Sequence, residues 1–390
     1  MAVQVTNSNT AELRDYFARR QRETLALTRT LVEAESPSGS EAGSKAVVSL
    51  LAAAARNIGA VTTIERVPAE NYGEHLRVHA FGDQRTRGKT ILLIGHTDTV
   101  HPFGSLERRP WRVEGNRAYG PGVFDMKANC AMVIEAIRAL ASLNLTPSSP
   151  IVLLLTCDEE TGSMSGRGLV EAEARRARAV FVLEPPAGGG RVKTGRKGTG
   201  MFTMEVRGRA AHAGLEPEKG VSAIVEIARQ IERLHGLNDY RTGITVNIGV
   251  VHGGTTSNVV AAEATAEIDL RFAKNEEGAR MEQLILGLRP FDDRVQLVVR
   301  GGINRPPLER SEKVLALYEQ AKNIATVLGF ELGEAQVGGA SDGNFAAAVG
   351  APVLDGLGLD GDGAHATHEH ILIDDIPRRG ALLAGLIATL

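Results

Sequence analysis

The chain has 390 residues, with 44 Lys and Arg against 47 Asp and Glu and a formal net charge of −3, so it offers neither the basic surface of a nucleic-acid binder nor an acidic tail. At 43% hydrophobic and 23% charged it has the make-up of a globular protein of about two domains, and no run reaches the ~20 apolar residues of a membrane-spanning helix. Residues 1–10 lack the basic-then-apolar layout of a secretory signal. Cys130 and Cys157 form neither a C-x-x-C pair nor a disulfide framework, and both are expected to be buried thiols. A cytoplasmic location is the expectation.

In chain order, 12–35 reads as one amphipathic helix with Leu13, Phe17, Leu25 and Leu31 on its apolar face. Ser36-Pro37-Ser38-Gly39-Ser40 ends it, and Ser38 with Glu41 spells a capping box for a second helix through Ile58. Apolar runs at 61–66, 75–81, 89–95, 151–156 and 179–184 read as strands, with helices over 128–142 and 165–178. That alternation predicts an α/β sheet layered with helices. The pattern changes at Lys193-Thr194-Gly195-Arg196-Lys197-Gly198. A strand (201–208), a helix (220–235), two strands (243–251 and 259–273), a helix (276–289) and a strand (294–300) then follow. This is βαββαβ, the ferredoxin-like order, closed by Gly301-Gly302 and Pro306-Pro307. The α/β pattern resumes with a helix near 311–328, short runs at 331–337 and 351–356, and a last helix over 376–390. The predicted organisation is a catalytic domain from 1–195 and 306–390, with 196–305 inserted.

Chemistry-bearing residues follow the apolar runs. Ile91-Leu92-Leu93-Ile94-Gly95 leads into His96 and Asp98, Ile151-Val152-Leu153-Leu154-Leu155 into Glu159-Glu160, and Ala179-Val180-Phe181-Val182-Leu183 into Glu184. In an open parallel sheet, ligands gather at the carboxyl ends of strands. Singly, each motif has a plain structural reading as a loop cap, a solvated pair or a turn. Jointly, with Asp125 and His365, they point to a metal site of the nitrogen-and-oxygen kind that zinc accepts. His96 and His365 each suit one ion, Glu160 and Glu184 are the carboxylate partners, and Asp125 is the bridge of a two-metal centre. Asp98 is placed to accept the other His96 ring N–H, and Glu159 to act as general base.

On those residues the chain resembles the di-zinc exopeptidases and deacylases, among them glutamate carboxypeptidase, aminoacylase, acetylornithine deacetylase and succinyl-diaminopimelate desuccinylase. The matching segments are G-H-T-D-T-V (95–100), Y-G-P-G-V-F-D-M-K (119–127), D-E-E-T-G (158–162), E-P (184–185), G-R-A-A-H-A-G (208–214), S-N-V-V (257–260), G-G-A-S-D-G (338–343), G-A-H-A-T-H-E-H (363–370) and I-P-R-R (376–379). They run through nearly the whole chain in order, and the likeness is greatest to folate-cleaving glutamate carboxypeptidases. The resemblance implies a zinc-peptidase (phosphorylase/hydrolase-like) catalytic domain and an inserted lid that makes a homodimer. It implies two Zn2+ per subunit on His96, Asp125, Glu160, Glu184 and His365, with Co2+ or Mn2+ able to occupy the same ligands. It gives Glu159 the role of base, Asp98 that of orienter, and makes His212 an oxyanion donor reaching a partner's active site.

Asn258 and Arg271 match positions that hold a substrate carboxylate, and Gly339, Ser341 and Arg305 complete the expected substrate-binding set. The expected reaction is hydrolysis of the amide of a small N-acyl or N-peptidyl amino acid, releasing the C-terminal amino acid, with glutamate the first expectation. The chain departs from the family pattern at three places, of which the first bears on that last point. Arg300-Gly301-Gly302 stands where the glutamate carboxypeptidases resemble R-G-R, Ala261 stands where proline is usual, and Met126-Lys127-Ala128-Asn129 where many members carry Asp-Lys-Gly-Gly. An N-acetyl or N-succinyl amino-acid deacylase is the near alternative.

Two other classes compete. Gly339-Ala340-Ser341-Asp342-Gly343 spells G-x-S-x-G, and with Asp355 or Asp360 and His365 gives the chain order of an α/β-hydrolase triad. That reading leaves the strand-end carboxylates unexplained. A non-catalytic peptide binder has lost a ligand or the base, and here none is missing. Gly356-x-Gly358-x-x-Gly361 matches a dinucleotide fingerprint in spelling only, since no helix opens on it. His368, Glu369 and His370 read as local loop chemistry, with support of the ligand residues from behind as the lesser reading.

Overall fold

Why the metal-site candidates converge is visible in the order of the first sheet. The computed structural model describes residues 7–82 and 88–390; the reading of residues 1–6 as non-signal lies outside the described residues. Six strands lie in the order Val61–Ala69, Gly73–Ala80, Ile151–Thr156, Thr90–His96, Ala177–Val182 and Val353–Leu354. The first two form an antiparallel hairpin, of which Gly73–Ala80 pairs antiparallel with Ile151–Thr156, while the last four are mutually parallel. Thr90–His96 and Ile151–Thr156 are buried along their entire lengths, as unbroken apolar strands covered on both faces must be. Helices Glu41–Arg56, Ala128–Ser142 and Asp375–Ala388 supply the covering core, with Val48, Leu51, Met132, Ile134, Leu383 and Leu386 inaccessible to solvent.

The single helix expected over 12–35 is two, Asn7–Arg19 and Gln21–Glu33, broken at Arg20. At the break Arg20 Nε donates to Glu135 Oε1 at 2.8 Å, beside Tyr16 Oη donating to the same oxygen at 2.8 Å. The expected capping box is also displaced. Ser40, not Ser38, caps the next helix by accepting from Gly43 N at 3.1 Å, and Ser38 turns its hydroxyl to Asp98 Oδ2 at 2.6 Å.

Gly380, within Asp375–Ala388, faces the buried ring of Phe17, and a Cβ there would stand 2.4 Å from two ring carbons. Overpacking of this kind costs about 1–3 kcal/mol, more than the ~0.5–1 kcal/mol that alanine gains over glycine in a helix. Gly380→Ala is therefore expected to lower the urea midpoint, and an unchanged or higher midpoint would contradict this packing. His75 and His79 on Gly73–Ala80 are buried, and desolvation holds both below the ordinary histidine range. The folded protein holds these protons less tightly than the unfolded chain, so protons are taken up on unfolding below about pH 6.5, and stability is full above that pH and falls as pH drops through it. His79→Gln is expected to lose less stability than wild type between pH 7.5 and 5.5; equal losses would contradict the linkage.

The second unit comprises Arg196–Glu309 and Gly338–Ala340. It ends four residues beyond the predicted 305 because Leu308 pairs with Arg196, and it takes in the short segment where Arg196 Nη1 donates to the Gly339 and Ala340 carbonyls at 3.2 and 3.1 Å. Its four antiparallel strands lie in the order Thr245–Gly253, Glu263–Phe272, Gly198–Arg207, Gln296–Arg305, the ferredoxin-like arrangement. Alternate residues of Glu263–Phe272 are buried with Ile227, Met281 and Ile285 of helices Ala223–His235 and Asn275–Leu286. The glycines read as a closing joint lie inside the last strand instead. Gly301 has φ +124°, and a Cβ there would meet the Met201 carbonyl oxygen at 2.1 Å, so only glycine lets the strand continue to Arg305.

Candidate metal centre

Three adjacent parallel strands end at one edge of the first sheet, and each delivers acid or imidazole there. His96 is the last residue of its strand, and its register partner Thr156 ends the next. Glu159 and Glu160 follow Thr156 in a single 3-10 turn, and Glu184 lies two residues past Val182. Asp125 comes from an irregular turn, Val123–Lys127, that feeds helix Ala128–Ser142. His365 lies between the short strands Gly361–Asp362 and His370–Leu372 with φ +64°, a left-handed conformation that a non-glycine residue adopts at a cost.

Asp125 is central. Its Oδ1 is 3.1 Å from His96 Nε2 and its Oδ2 is 3.4 Å from His365 Nε2. Each histidine also meets a carboxylate of its own: Glu184 Oε1 lies 3.5 Å from His96 Nε2, and Glu160 Oε2 lies 3.2 Å from His365 Nε2. The groupings His96–Glu159–Glu184 and His96–Asp125–Glu160 each bring one ligand atom per residue to within 4.8 Å of one another. Glu159 is thus at the same centre.

Electrostatics explain why such a cluster suits cations. Burial acts to raise Asp125, but His365 and His96 outweigh it and hold the carboxyl below its usual range. Burial also disfavours charge on His96, yet Asp125, Asp98 and Glu184 together raise it well above the ordinary value. Asp125 and then Glu160 lift His365 to about 10. Glu160 is raised by burial, offset only in part by His365, and its buried Oε1 has no hydrogen-bond partner. Four carboxylates and two imidazoles packed this closely, with one oxygen left over, fit divalent ions with oxygen and nitrogen ligands. Such ions would displace the protons that the histidines hold in their absence.

Asp98 does more than the sequence reading gave it. His96 Nδ1 is 3.0 Å from the Asp98 carbonyl oxygen and 3.4 Å from Oδ1, which holds a proton on Nδ1 and leaves Nε2 as the ring nitrogen that faces the centre. The Asp98 carboxylate accepts from Glu159 N and Glu160 N, both at 3.2 Å, and from the Ser38 hydroxyl. One buried aspartate therefore sets both a histidine and the turn that carries two glutamates. Sequence reasoning missed Ser38 and His101 and read Glu369 chiefly as local loop chemistry; the His101 and Glu369 side chains meet at 2.6 Å, and nothing in their spacing marks them as partners.

The remaining candidates are spread between the two units. His212 and Asn258 come together in the second unit, where Ala213 N donates to Asn258 O at 2.9 Å and His212 bridges Val259; both side chains are exposed. Arg271 holds Asp269 in a bidentate pair at 2.7 and 2.8 Å, and Arg305 is buried at the end of its strand. Gly339 accepts from Arg196. Ser341 is fully buried, its hydroxyl donating to Asp355 Oδ2 at 2.7 Å and accepting from Gly343 N, while His365 faces Asp125 and Glu160. The triad arrangement is therefore not assembled. Gly358 N donates to Glu184 O at 2.9 Å, so the glycine run 356–361 pairs with the backbone of a candidate ligand.

A mixed α/β sheet presenting carboxylates and imidazoles at its strand ends, with a ferredoxin-like insert, defines a metallohydrolase. Residues 92–389 match Peptidase family M20/M25/M40, and the chain belongs to that family. It is 34% identical over 369 residues to carboxypeptidase G2 of Pseudomonas sp. (strain RS-16), covering 92% of this chain and 87% of that one. It is 32% identical over 315 residues to succinyl-diaminopimelate desuccinylase of Verminephrobacter eiseniae (strain EF01-2), covering 75% and 76%. The fold matches aminopeptidase PepT from Bacillus cereus ATCC 10987 with a TM-score of 0.74 at 24% identity over 95% of this chain and 98% of that one. Among the described residues no helix is long and apolar enough to cross a membrane.

Proposed function

We propose that the chain hydrolyses the amide bond of a small N-acyl or N-peptidyl amino acid bearing a free carboxylate and releases the C-terminal amino acid, with two Zn2+ as its metals. The observation that carries this reading is Asp125, whose two oxygens face two histidines that each have a second carboxylate. His96 and Glu184 would hold one ion, His365 and Glu160 the other, and Asp125 both. When bound, such a pair polarises a scissile carbonyl and lowers the pKa of a water. Glu159 is then the carboxylate not needed as a ligand. It takes the proton from the attacking water and returns it to the leaving amine, while Asp98 holds its turn in place.

His212 is assigned to the oxyanion, supplied by a partner subunit. Gly214 N donates to its Nδ1 at 3.1 Å, which leaves the ring proton on Nε2, where a donor is needed. The homodimer is assigned to the second unit, whose edge strand Thr245–Gly253 exposes Val250 and Val251. Asn258, Arg271, Gly339, Ser341 and Arg305 are carried as substrate-side candidates; of these Asn258 is exposed, and Arg271 must exchange Asp269 for a substrate carboxylate. The buried free thiols Cys130 and Cys157 support a cytoplasmic setting.

One relative is named a carboxypeptidase and another a desuccinylase, which supports amide cleavage with either a peptidyl or an acyl group on the amine. A panel of N-acyl amino acids, dipeptides and folate-like glutamates, assayed for amino-acid release, separates the two. Preference for glutamate at the released position supports the carboxypeptidase reading. Preference for N-acetyl or N-succinyl groups irrespective of the released residue moves it to a deacylase, and no release from any member overturns both.

A further inference from the structure

Outside the ligand set, Glu369 is a buried and heavily bonded acid near the centre, 2% exposed and four residues past His365. Its Oε1 accepts from Phe124 N at 2.9 Å and Asp125 N at 3.0 Å, and its Oε2 accepts from Gly122 N at 2.8 Å and His101 Nε2 at 2.6 Å. Three backbone donors from one turn thus converge on one side chain from another loop. Arg109 Nη2 lies 3.3 Å from His101 Nδ1 and donates to it, which puts the imidazole proton on Nε2, facing Glu369. Arg109 Nη1 also donates to Ala366 O at 3.3 Å, next to His365. Arg109, His101 and Glu369 therefore tie the His365 loop to the backbone that carries Asp125.

The turn Val123–Lys127 has non-helical backbone at Asp125 and Met126; Lys127 N still donates to Gly122 O, but the amides of Gly122, Phe124 and Asp125 go to Glu369. We infer that Glu369 is a positioning residue for the two-metal centre: its carboxylate locks the Asp125 bridge and the His365 loop at the one separation that serves both ions. The inference rests on the metal reading above and adds to it a residue that touches neither ion nor substrate.

The test is Glu369→Gln. A glutamine keeps the shape but offers one acceptor oxygen and an amide NH2, so one pair of its four donors loses its acceptor. Metal-free wild type and variant are titrated with Co2+, following the visible absorption band, bound metal per protomer, kcat and KM. Glu135→Gln serves as the control for loss of a buried, hydrogen-bonded carboxylate that holds Tyr16 and Arg20 instead. Expected for Glu369→Gln is a second ion bound about 10–100-fold more weakly, an altered Co2+ band and a fall in kcat larger than any change in KM, against two normally bound ions in Glu135→Gln. Should Glu369→Gln fail to fold, His101→Ala removes one of the four donors and is expected to weaken the second ion in the same direction. Two ions bound with wild-type affinity and an unchanged band, in whichever variant folds, would overturn the inference even if that variant melted lower. Wild type that binds fewer than two ions would overturn the metal reading itself and the inference with it.

Discussion

Glu159→Gln is expected to lower kcat by about 10²–10⁴-fold, the usual contribution of a positioned general base, while both ions remain bound. Glutamine keeps the side chain's size and leaves the turn Glu159–Thr161 intact, since Asp98 holds that turn by its backbone amides. What is removed is the carboxylate, with its charge and its ability to take a proton from water and return it to the amine. Because Glu159 also lies within 4.8 Å of His96 and Glu184 ligand atoms, the metal count is the deciding reading. A variant that keeps two ions and loses kcat is missing its base. One that loses an ion has lost a ligand, and the role would pass to another carboxylate.

Asp125→Asn is expected to have the larger effect on metal. It removes a charge and replaces one of the two oxygens that face His96 Nε2 and His365 Nε2 with an amide nitrogen that cannot ligate. Loss of an outer-shell partner already weakens metal binding by about 10–100-fold, so loss of the shared ligand is expected to exceed that and leave at most one ion per protomer. Activity should fall with the ion and not return on adding excess zinc. Retention of both ions at wild-type affinity would show that Asp125 is no bridge.

Much of the candidate site was legible because its residues sit at the ends of apolar runs. Buried parallel strands announce themselves as continuous Ile, Leu and Val, and the residue just past such a run emerges at the sheet's carboxyl edge, as His96, Glu159 and Glu184 do. The ferredoxin-like order was legible for a similar reason, since its strands alternate with period two. What was not legible depends on contacts between distant loops. Ser38 looks like a helix cap by spacing and is used on Asp98 sixty residues away. Glu369 looks like loop chemistry until the fold brings the amides of 122–125 to it. Gly301 reads as a break because glycine usually is one, yet here a neighbouring carbonyl requires it inside a strand. Ser341 spells a nucleophile, and burial against Asp355 withdraws it.

The most direct test of the two-metal account is a titration of the metal-free protein with zinc, following amino-acid release from the best substrate of the panel together with bound metal per protomer. The account predicts no release without metal, and a rise that is complete at two ions per protomer. Full activity in the metal-free protein, or saturation with a single ion bound, would contradict it.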